Sequence, residues 1–401
     1  MTKSICKIKL LLKGRFIFVS DFVYLLKRGG LRAIPEYLEL FGTALNNEKI
    51  VEFEGKAVIF FLIPPIPSEG FRRHLRHYTN RFVLRNRKTI FGQAFIAVNR
   101  KCPFNCWYCS AANTSDNELS LEELDRIIML FKDWGASTIV FTGGEPLLRD
   151  DIDVLISKYS KELTFVILTS GYGLNFERAG RLKDAGLFSI SISLDHYDRK
   201  INDQSRGREG AFDITLDAIK NAKGAGLYTV VQTVATSELL KSVEIERFTD
   251  FVKNLGVDEL FLLEPLCTGR LFNKERDIYL NSEEVEGLKL LHIQSAKKKN
   301  GLKIITSPFI EDTTKFGCGA GTQHIYVDTT GELWPCNFLP VSLGNLLREP
   351  ETVKTRLKKY FSKPCGFCIL RKYHKEFLRY YNNSLPVTFG YAEKILKEMA
   401  D

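Results

Sequence analysis

The chain has 401 residues, of which 44% are hydrophobic and 26% charged, enough for two or three domains with real cores. Its 29 Gly and 13 Pro are too few for a collagen-like or low-complexity protein, and no run of 18 apolar residues suggests a membrane-spanning helix. The net charge of +9 is uneven: residues 1–101 carry 19 Lys and Arg against 7 Asp and Glu, so residues 102–401 sum to −3, and an anionic partner or surface would meet the N-terminal quarter first.

Residues 1–93 begin with an apolar, basic stretch (7–30), which suits either an amphipathic element on an anionic membrane surface or a helix packed on the rest with a solvated basic face. A helix is expected at 31–41 and a hairpin over 50–63, turning at Glu54-Gly55 and offering an edge for peptide strand addition. A proline group and a basic stretch from Arg72 to Lys88 follow. The N-terminus lacks a compact apolar stretch with a small-residue cleavage site, so a cytoplasmic protein, with possible contact to a membrane surface, is expected.

From 94 to about 300 short β-branched runs alternate with amphipathic stretches. Strands are predicted at 94–100, 137–145, 163–171, 188–195, 228–236 and 259–266. Helices are predicted at 120–135, 176–186, 211–226 and 243–256, the first opened by a Ser120/Glu123 capping box and closed by Gly135. Six βα units give an open doubly wound sheet or a barrel. In either, ligands meet the loops at the C-terminal strand ends.

Nine cysteines in a chain without a secretory signal argue for metal chemistry rather than disulfides. Cys102, Cys106 and Cys109 lie within eight residues after the first of these strands. Three soft ligands suit an iron–sulfur cluster with one open iron, or a zinc site that borrows a distant fourth ligand.

This C-x3-C-x2-C loop, with Tyr108 before its last cysteine, resembles that of the radical S-adenosylmethionine (SAM) superfamily. So do Gly143-Gly144-Glu145-Pro146 ending the second strand and Ser191-Ile192-Ser193-Leu194-Asp195 ending the fourth, followed by Arg206-Gly207. The resemblance covers about 94–300. It implies a partial (β/α)6 TIM-like barrel and a [4Fe–4S] cluster on the three cysteines with SAM at the open iron. Reductive cleavage to a 5′-deoxyadenosyl radical and hydrogen abstraction from a substrate would follow. It further implies that Glu145 and the GGEP backbone meet the SAM ammonium, that Arg206 pairs with its carboxylate, and that Ser193 and Asp195 bind carboxylate or ribose. Ser170 is placed as a polar contact, although Thr169-Ser170-Gly171 departs from the family's commoner Thr-Asn-Gly. Thr233, Val234 and Leu263 are placed as packing for the adenosine. An external one-electron reductant of flavodoxin or ferredoxin type would be needed.

Cys318-x12-Gly331-x4-Cys336 encloses a hairpin-like HIYVD…ELWPC pair, and Cys365 and Cys368 follow. Four thiolates in two pairs satisfy zinc. The pattern also resembles SPASM and twitch domains, and with no cysteine after Cys368 it implies one auxiliary [4Fe–4S] cluster on Cys318, Cys336, Cys365 and Cys368. Cys267, after the sixth strand, is a candidate hydrogen donor or substrate contact, or else a buried small apolar residue.

The expected organisation is therefore an α+β extension (1–93), a barrel core (94–305), a Cys-rich twitch/SPASM-like domain (306–370) and a helical tail (371–401). A peptide is the first substrate expectation, from the resemblance to SPASM enzymes, and a lipid or other membrane-associated molecule the second. A non-enzymatic iron–sulfur or metal-binding protein and a zinc-stabilised nucleic-acid binder are the competing readings. Basic residues mixed with aliphatics and no nucleic-acid-reading motif make nucleic acid the weakest partner.

Overall fold

The computed structural model describes residues 3–4, 7–86, 90–112, 118–274, 278–381 and 385–400. Lys88, the end of the expected basic stretch, lies outside them. The strands are β1 (Lys3–Ser4), β2 (Val51–Phe53), β3 (Lys56–Val58), β4 (Gln93–Asn99), β5 (Thr138–Gly143), β6 (Thr164–Thr169), β7 (Ser189–Ser193), β8 (Tyr228–Val234), β9 (Glu259–Leu263), β10 (Ile304–Thr306), β11 (His324–Val327) and β12 (Leu333–Trp334). Helices α1 (Lys7–Lys13), α2 (Arg15–Gly29), α3 (Ile34–Leu45) and α4 (Glu69–Tyr78) precede β4. Between β4 and β10 lie α5 (Leu121–Trp134), α6 (Ile152–Tyr159), α7 (Phe176–Ala185), α8 (Arg199–Arg206), α9 (Ala211–Gly224), α10 (Ser242–Asn254) and α11 (Ser282–Lys297).

Strands β4 to β10 are parallel, and each neighbours the next in sequence. That winding has no reversal of strand order, unlike a doubly wound sheet. The strands are buried along most of their length, which is why they read as near-continuous apolar runs. The α5 helix starts at the expected capping box, ends at Gly135 in the left-handed region, and buries Leu124, Ile127, Ile128, Phe131 and Trp134.

The Cys-rich segment does not stand apart from this sheet. Its β11 pairs in parallel with β4, in register Tyr326 with Phe95, and β12 adds antiparallel outside it, making nine strands in all. Trp334, Cys318 and Cys336 belong to the same hydrophobic core as the βα units. The boundary expected at 305/306 thus falls inside one sheet and one core.

The hairpin is confirmed, turning at Glu54-Gly55, but both of its long edges are taken. Lys3–Ser4 pairs with β2, and Ala57 of β3 exchanges hydrogen bonds with Ile66. The basic stretch after Arg72 also differs from a solvated patch. Arg73 donates to the Ala136 carbonyl, Arg76 to Asp21, and Arg81 to the Phe361 and Ser362 carbonyls.

At the N-terminal strand ends Lys303 is 1% exposed and Glu259 fully buried, 3.0 Å apart. The Tyr228 hydroxyl donates to the same carboxylate, and Lys303 Nζ also reaches the Val58 carbonyl. This end ties the hairpin to the sheet; the opposite end is left for chemistry.

Candidate active site

The C-terminal strand ends surround a cavity of 250 Å³ lined by the Cys102, Cys106 and Cys109 loop together with Gly143, Gly144, Ser170, Ser193, Arg206, Val234 and Leu263. At about 10–15 Å³ per water, it has room for far more than one or two solvent molecules. The three thiols are close enough to influence one another. Burial pushes Cys102 up to about 11 and Cys106 up to about 12, with a smaller contribution from the neighbouring cysteines.

Three neighbouring turns hold the cysteine loop through its backbone. Gly144 N–H donates to the Asn99 carbonyl at 2.8 Å and Glu145 N–H to the Lys101 carbonyl at 2.7 Å. Asn105 N–H donates to the Arg206 carbonyl at 3.1 Å, and Arg270 N–H to the Cys109 carbonyl at 2.9 Å. A Cβ on Gly144 would sit 2.3 Å from the Arg100 and Lys101 carbonyl oxygens. The glycine is therefore required by the approach of β5's end to the cysteine loop.

The Glu145 side chain turns away from the cavity. Thr169 Oγ1, Ser170 Oγ, and the Ser170 and Leu147 N–H groups all donate to its carboxylate. Burial raises its pKa, opposed by these hydrogen bonds. Its place is to fix the Thr169–Gly171 turn, and neither it nor Pro146 lines the cavity. Ser170 lines the cavity and braces Glu145 as well. Thr233 is also turned aside, donating to the Leu194 carbonyl at 2.6 Å.

Arg206 ends α8 with 6% exposure, so it is a buried group and not a solvated loop arginine. It donates to the Tyr108 hydroxyl at 2.7 Å, and that hydroxyl donates to Asp195 Oδ2 at 2.5 Å, where Ser205 Oγ also donates at 2.9 Å. Burial opposes the guanidinium's charge, but Tyr108, Asp195 and Cys106 offset it and hold Arg206 protonated. Arg206 Nε and Asp195 Oδ1 are both buried with no hydrogen-bond partner. Of the two residues only Arg206 lines the cavity, and a ligand carboxylate there would suit its guanidinium, so this corner fits the carboxylate of SAM. Asp195 itself lies behind Tyr108, outside the cavity lining.

Of the second cysteine group, Cys336 and Cys368 both raise the Cys318 thiol and Cys368 raises Cys336, although among the described residues no three metal-ligating side chains are gathered closely enough to hold an ion. Burial raises all three thiols, Cys368 to about 12, and each is raised further by Glu311. Cys365 is joined to Cys318 through paired backbone hydrogen bonds, while its thiol is raised by burial and faces Lys363 and Lys372. Cys267 is fully buried, its N–H donating to the Tyr279 hydroxyl, and it does not line the cavity. Its neighbours Leu266 and Thr268 do line the cavity, while the Cys267 side chain lies against the Tyr279 hydroxyl.

Sequence reasoning missed Glu264, Glu311, Gln232 and Asn337 in the cavity wall. Glu264 follows β9 directly, so the rule that ligands meet C-terminal strand ends would have found it. Glu311 and Asn337 come from the Cys-rich segment, whose closeness depends on the pairing of β11 with β4. Burial, with Glu264 nearby, pushes Glu311 up to about 7.

Residues 96–252 match the family model of the radical SAM superfamily. The chain is 28% identical over 317 residues to the AdoMet-dependent heme synthase of Nitratidesulfovibrio vulgaris, covering 69% of this chain and 84% of that one. It is 32% identical over 273 residues to the GTP 3′,8-cyclase of Campylobacter fetus, covering 63% and 77%. The fold resembles anSMEcpe with bound AdoMet (TM-score 0.54, 18% identity, 77% of this chain and 95% of that one). It also resembles Streptococcus suis SuiB bound to the precursor peptide SuiA (TM-score 0.52, 18% identity, 66% of this chain), where the match spans only 64% of SuiB. The chain belongs to the radical SAM superfamily. It is an enzyme of that class, with a [4Fe–4S] cluster and SAM as its cofactors.

Proposed function

We propose that Cys102, Cys106 and Cys109 hold the cluster, that SAM binds between it and the Arg206 corner, and that a substrate carbon reaches the same cavity. The convergence of three thiols, two glycines and one buried guanidinium in a single cavity carries this reading. Cluster and SAM together supply a reductive C–S cleavage and a carbon radical able to take hydrogen from an unactivated C–H bond.

The chain's own residues bind, orient and exclude water. Arg206 presents its planar fork to a carboxylate, and Tyr108, held between Arg206 and Asp195, fixes that fork's angle. Gly143 and Gly144 present bare backbone to the cavity, while Val234, Phe261 and Leu263 give it an apolar wall that suits an adenosine and keeps water out. The one-way run of parallel strands then reads as a partial (β/α)6 barrel. Cys318, Cys336, Cys368 and Cys365 would hold one auxiliary [4Fe–4S] cluster of twitch type, which with four thiolates would supply electron relay, with a flavodoxin- or ferredoxin-type donor outside.

Similarity to a heme synthase, a GTP cyclase and a peptide-bound enzyme supports no single substrate. Strand addition of a leader peptide has little support, since β2 and β3 already have partners on both sides. The test is anaerobic reconstitution. About eight iron atoms per chain are expected, and about half should be lost when Cys102, Cys106 and Cys109 are all replaced by Ala. SAM should perturb the spectrum of the reduced wild-type cluster. Zinc in place of iron, or a spectrum indifferent to SAM, refutes the assignment.

A further inference from the structure

The N-terminal helices are apolar on two opposite faces. Leu10, Gly14, Asp21 and Leu25 are buried against the body of the protein. On the other side Ile8, Leu12, Phe16, Val19 and Val23 recur at intervals of four, four, three and four residues, the spacing of one helical face. They are 67, 58, 76, 63 and 44% exposed, and the Arg15 guanidinium lies over the Phe16 ring, 4.7 Å from its centroid.

The charges around this stripe have one sign. Lys7, Lys9, Arg15, Lys27, Arg28 and Arg32 are all exposed. The single acid between residues 7 and 32 is Asp21, which is fully buried beneath the Tyr37 and Thr79 hydroxyls and Arg76. The next acids in the chain, Glu36 and Glu39, lie on α3. An apolar stripe flanked by cations, with its nearest carboxylates exposed on α3 (Glu36, Glu39) and half-buried on β2 (Glu52, paired with Lys13), complements a surface of apolar chains under anionic headgroups.

Beneath the same helices lies a second cavity, of 150 Å³, walled by Leu10 and Phe18 of α1 and α2, Leu40 and Phe41 of α3, and Phe71 and Leu75 of α4. Several of its polar lining groups are already partnered. Glu48 pairs with Lys315 at 3.0 Å, Tyr78 donates to Gln323 at 2.6 Å, and His74 meets Ser137 at 3.3 Å. Burial holds His74 and His324 down to about 4, so both are uncharged at neutral pH. Apart from Glu311, whose buried carboxyl also lines it, such a chamber has little to offer a polar ligand and suits hydrocarbon. Phe60, Gln93, Ile310, Glu311 and His324 line both this chamber and the cysteine-lined cavity, so the two share a wall.

We infer that the enzyme works on an anionic membrane surface, docked by the outer face of α1 and α2, and that the chamber beneath these helices takes the hydrocarbon chain of a lipid substrate whose reacting carbon enters the cysteine-lined cavity. The substrate half of this rests on the proposed function; the docking half does not.

The test uses the full-length reconstituted protein. In co-sedimentation with phosphatidylcholine vesicles containing about 30% phosphatidylglycerol, the wild type should bind at least about tenfold more tightly than to pure phosphatidylcholine. The surface double variant Leu12→Asp/Phe16→Asp should lose at least about tenfold of that binding with unchanged iron content. Absence of binding, equal binding to both vesicles, or no loss in the variant overturns the docking, as does light scattering that shows a dimer which the same variant dissociates. For the chamber, cis-parinaric acid should gain fluorescence on mixing with the wild type and be displaced by palmitate, and Ala44→Trp should abolish the gain. No gain in the wild type, or no displacement, overturns the chamber. Both readouts are independent of SAM cleavage, so SAM turnover without vesicle or fatty-acid binding sinks this inference alone, and the reverse result sinks the proposed function together with the substrate half while the docking stands.

Discussion

Arg206 and Tyr108 lie 98 residues apart in sequence and share a 2.7 Å hydrogen bond beneath the cysteine loop. Arg206 lines the cavity and its Nε has no hydrogen-bond partner, so the guanidinium has a bond to give to a ligand. Arg206→Gln removes a charge-assisted contact of about 1.5–3 kcal/mol. The dissociation constant for SAM should rise about 10- to 100-fold, read by titration of the reduced cluster's spectrum. Iron content should stay unchanged, because no cysteine is touched.

Gly269 has φ +52°, and a Cβ there would lie 2.3 Å from the Cys109 carbonyl oxygen. Gly269→Ala should push the turn after β9 away from the cysteine loop. The strain is of order 1–3 kcal/mol, small enough to fold. Reconstituted protein should hold markedly less iron in the cluster of Cys102, Cys106 and Cys109, while the auxiliary cluster's signal is retained.

Lys303 and Glu259 form a buried pair at the opposite end of the sheet. Lys303→Ala leaves the buried carboxylate without a counter-charge, held by the Tyr228 hydroxyl and the Phe61 backbone, and should destabilise the fold by about 3–5 kcal/mol. Lys303→Met combined with Glu259→Gln should recover a large part of that loss. Urea denaturation of the three proteins checks both statements, and SAM affinity should be unaffected in those that fold.

Burial pushes the Cys102 thiol up to about 11 and the Cys106 thiol up to about 12 in the folded chain, well above an exposed thiol. Both are protonated at pH 7, so ligation releases protons and cluster assembly should go further at pH 8.5 than at pH 7. The cluster-free protein has the opposite dependence. Below about pH 8.5 these thiols are neutral whether folded or not and contribute nothing to the slope. Above it the unfolded chain loses protons first, so stability should fall as pH rises towards 11. Thermal melts of the cluster-free protein between pH 8 and 10.5 should show the decline, and Cys102→Ser/Cys106→Ser should flatten it.

The βα alternation was legible because each strand is buried on both faces and each helix on one, so pattern and structure share a period. The hairpin turn at Glu54-Gly55 and the capping box at Ser120 were legible because they are local. The inward roles of Glu145 and Thr233 were not, since their partners Ser170 and Leu194 come from other strands. Arg73 and Arg81 looked like surface charge for the same reason. Their acceptors are carbonyls some 60 and 280 residues further along.

The pairing of β11 with β4 joins residues 93–96 to residues 324–327. During synthesis on the ribosome, the strand that carries the cysteine loop is finished long before its outer neighbour leaves the exit tunnel. For most of that interval β4 has β5 on one side and an unclaimed row of amides and carbonyls on the other, a template for mispairing. A chain cut short before Ile325 should therefore be an aggregation hazard even with every βα unit present.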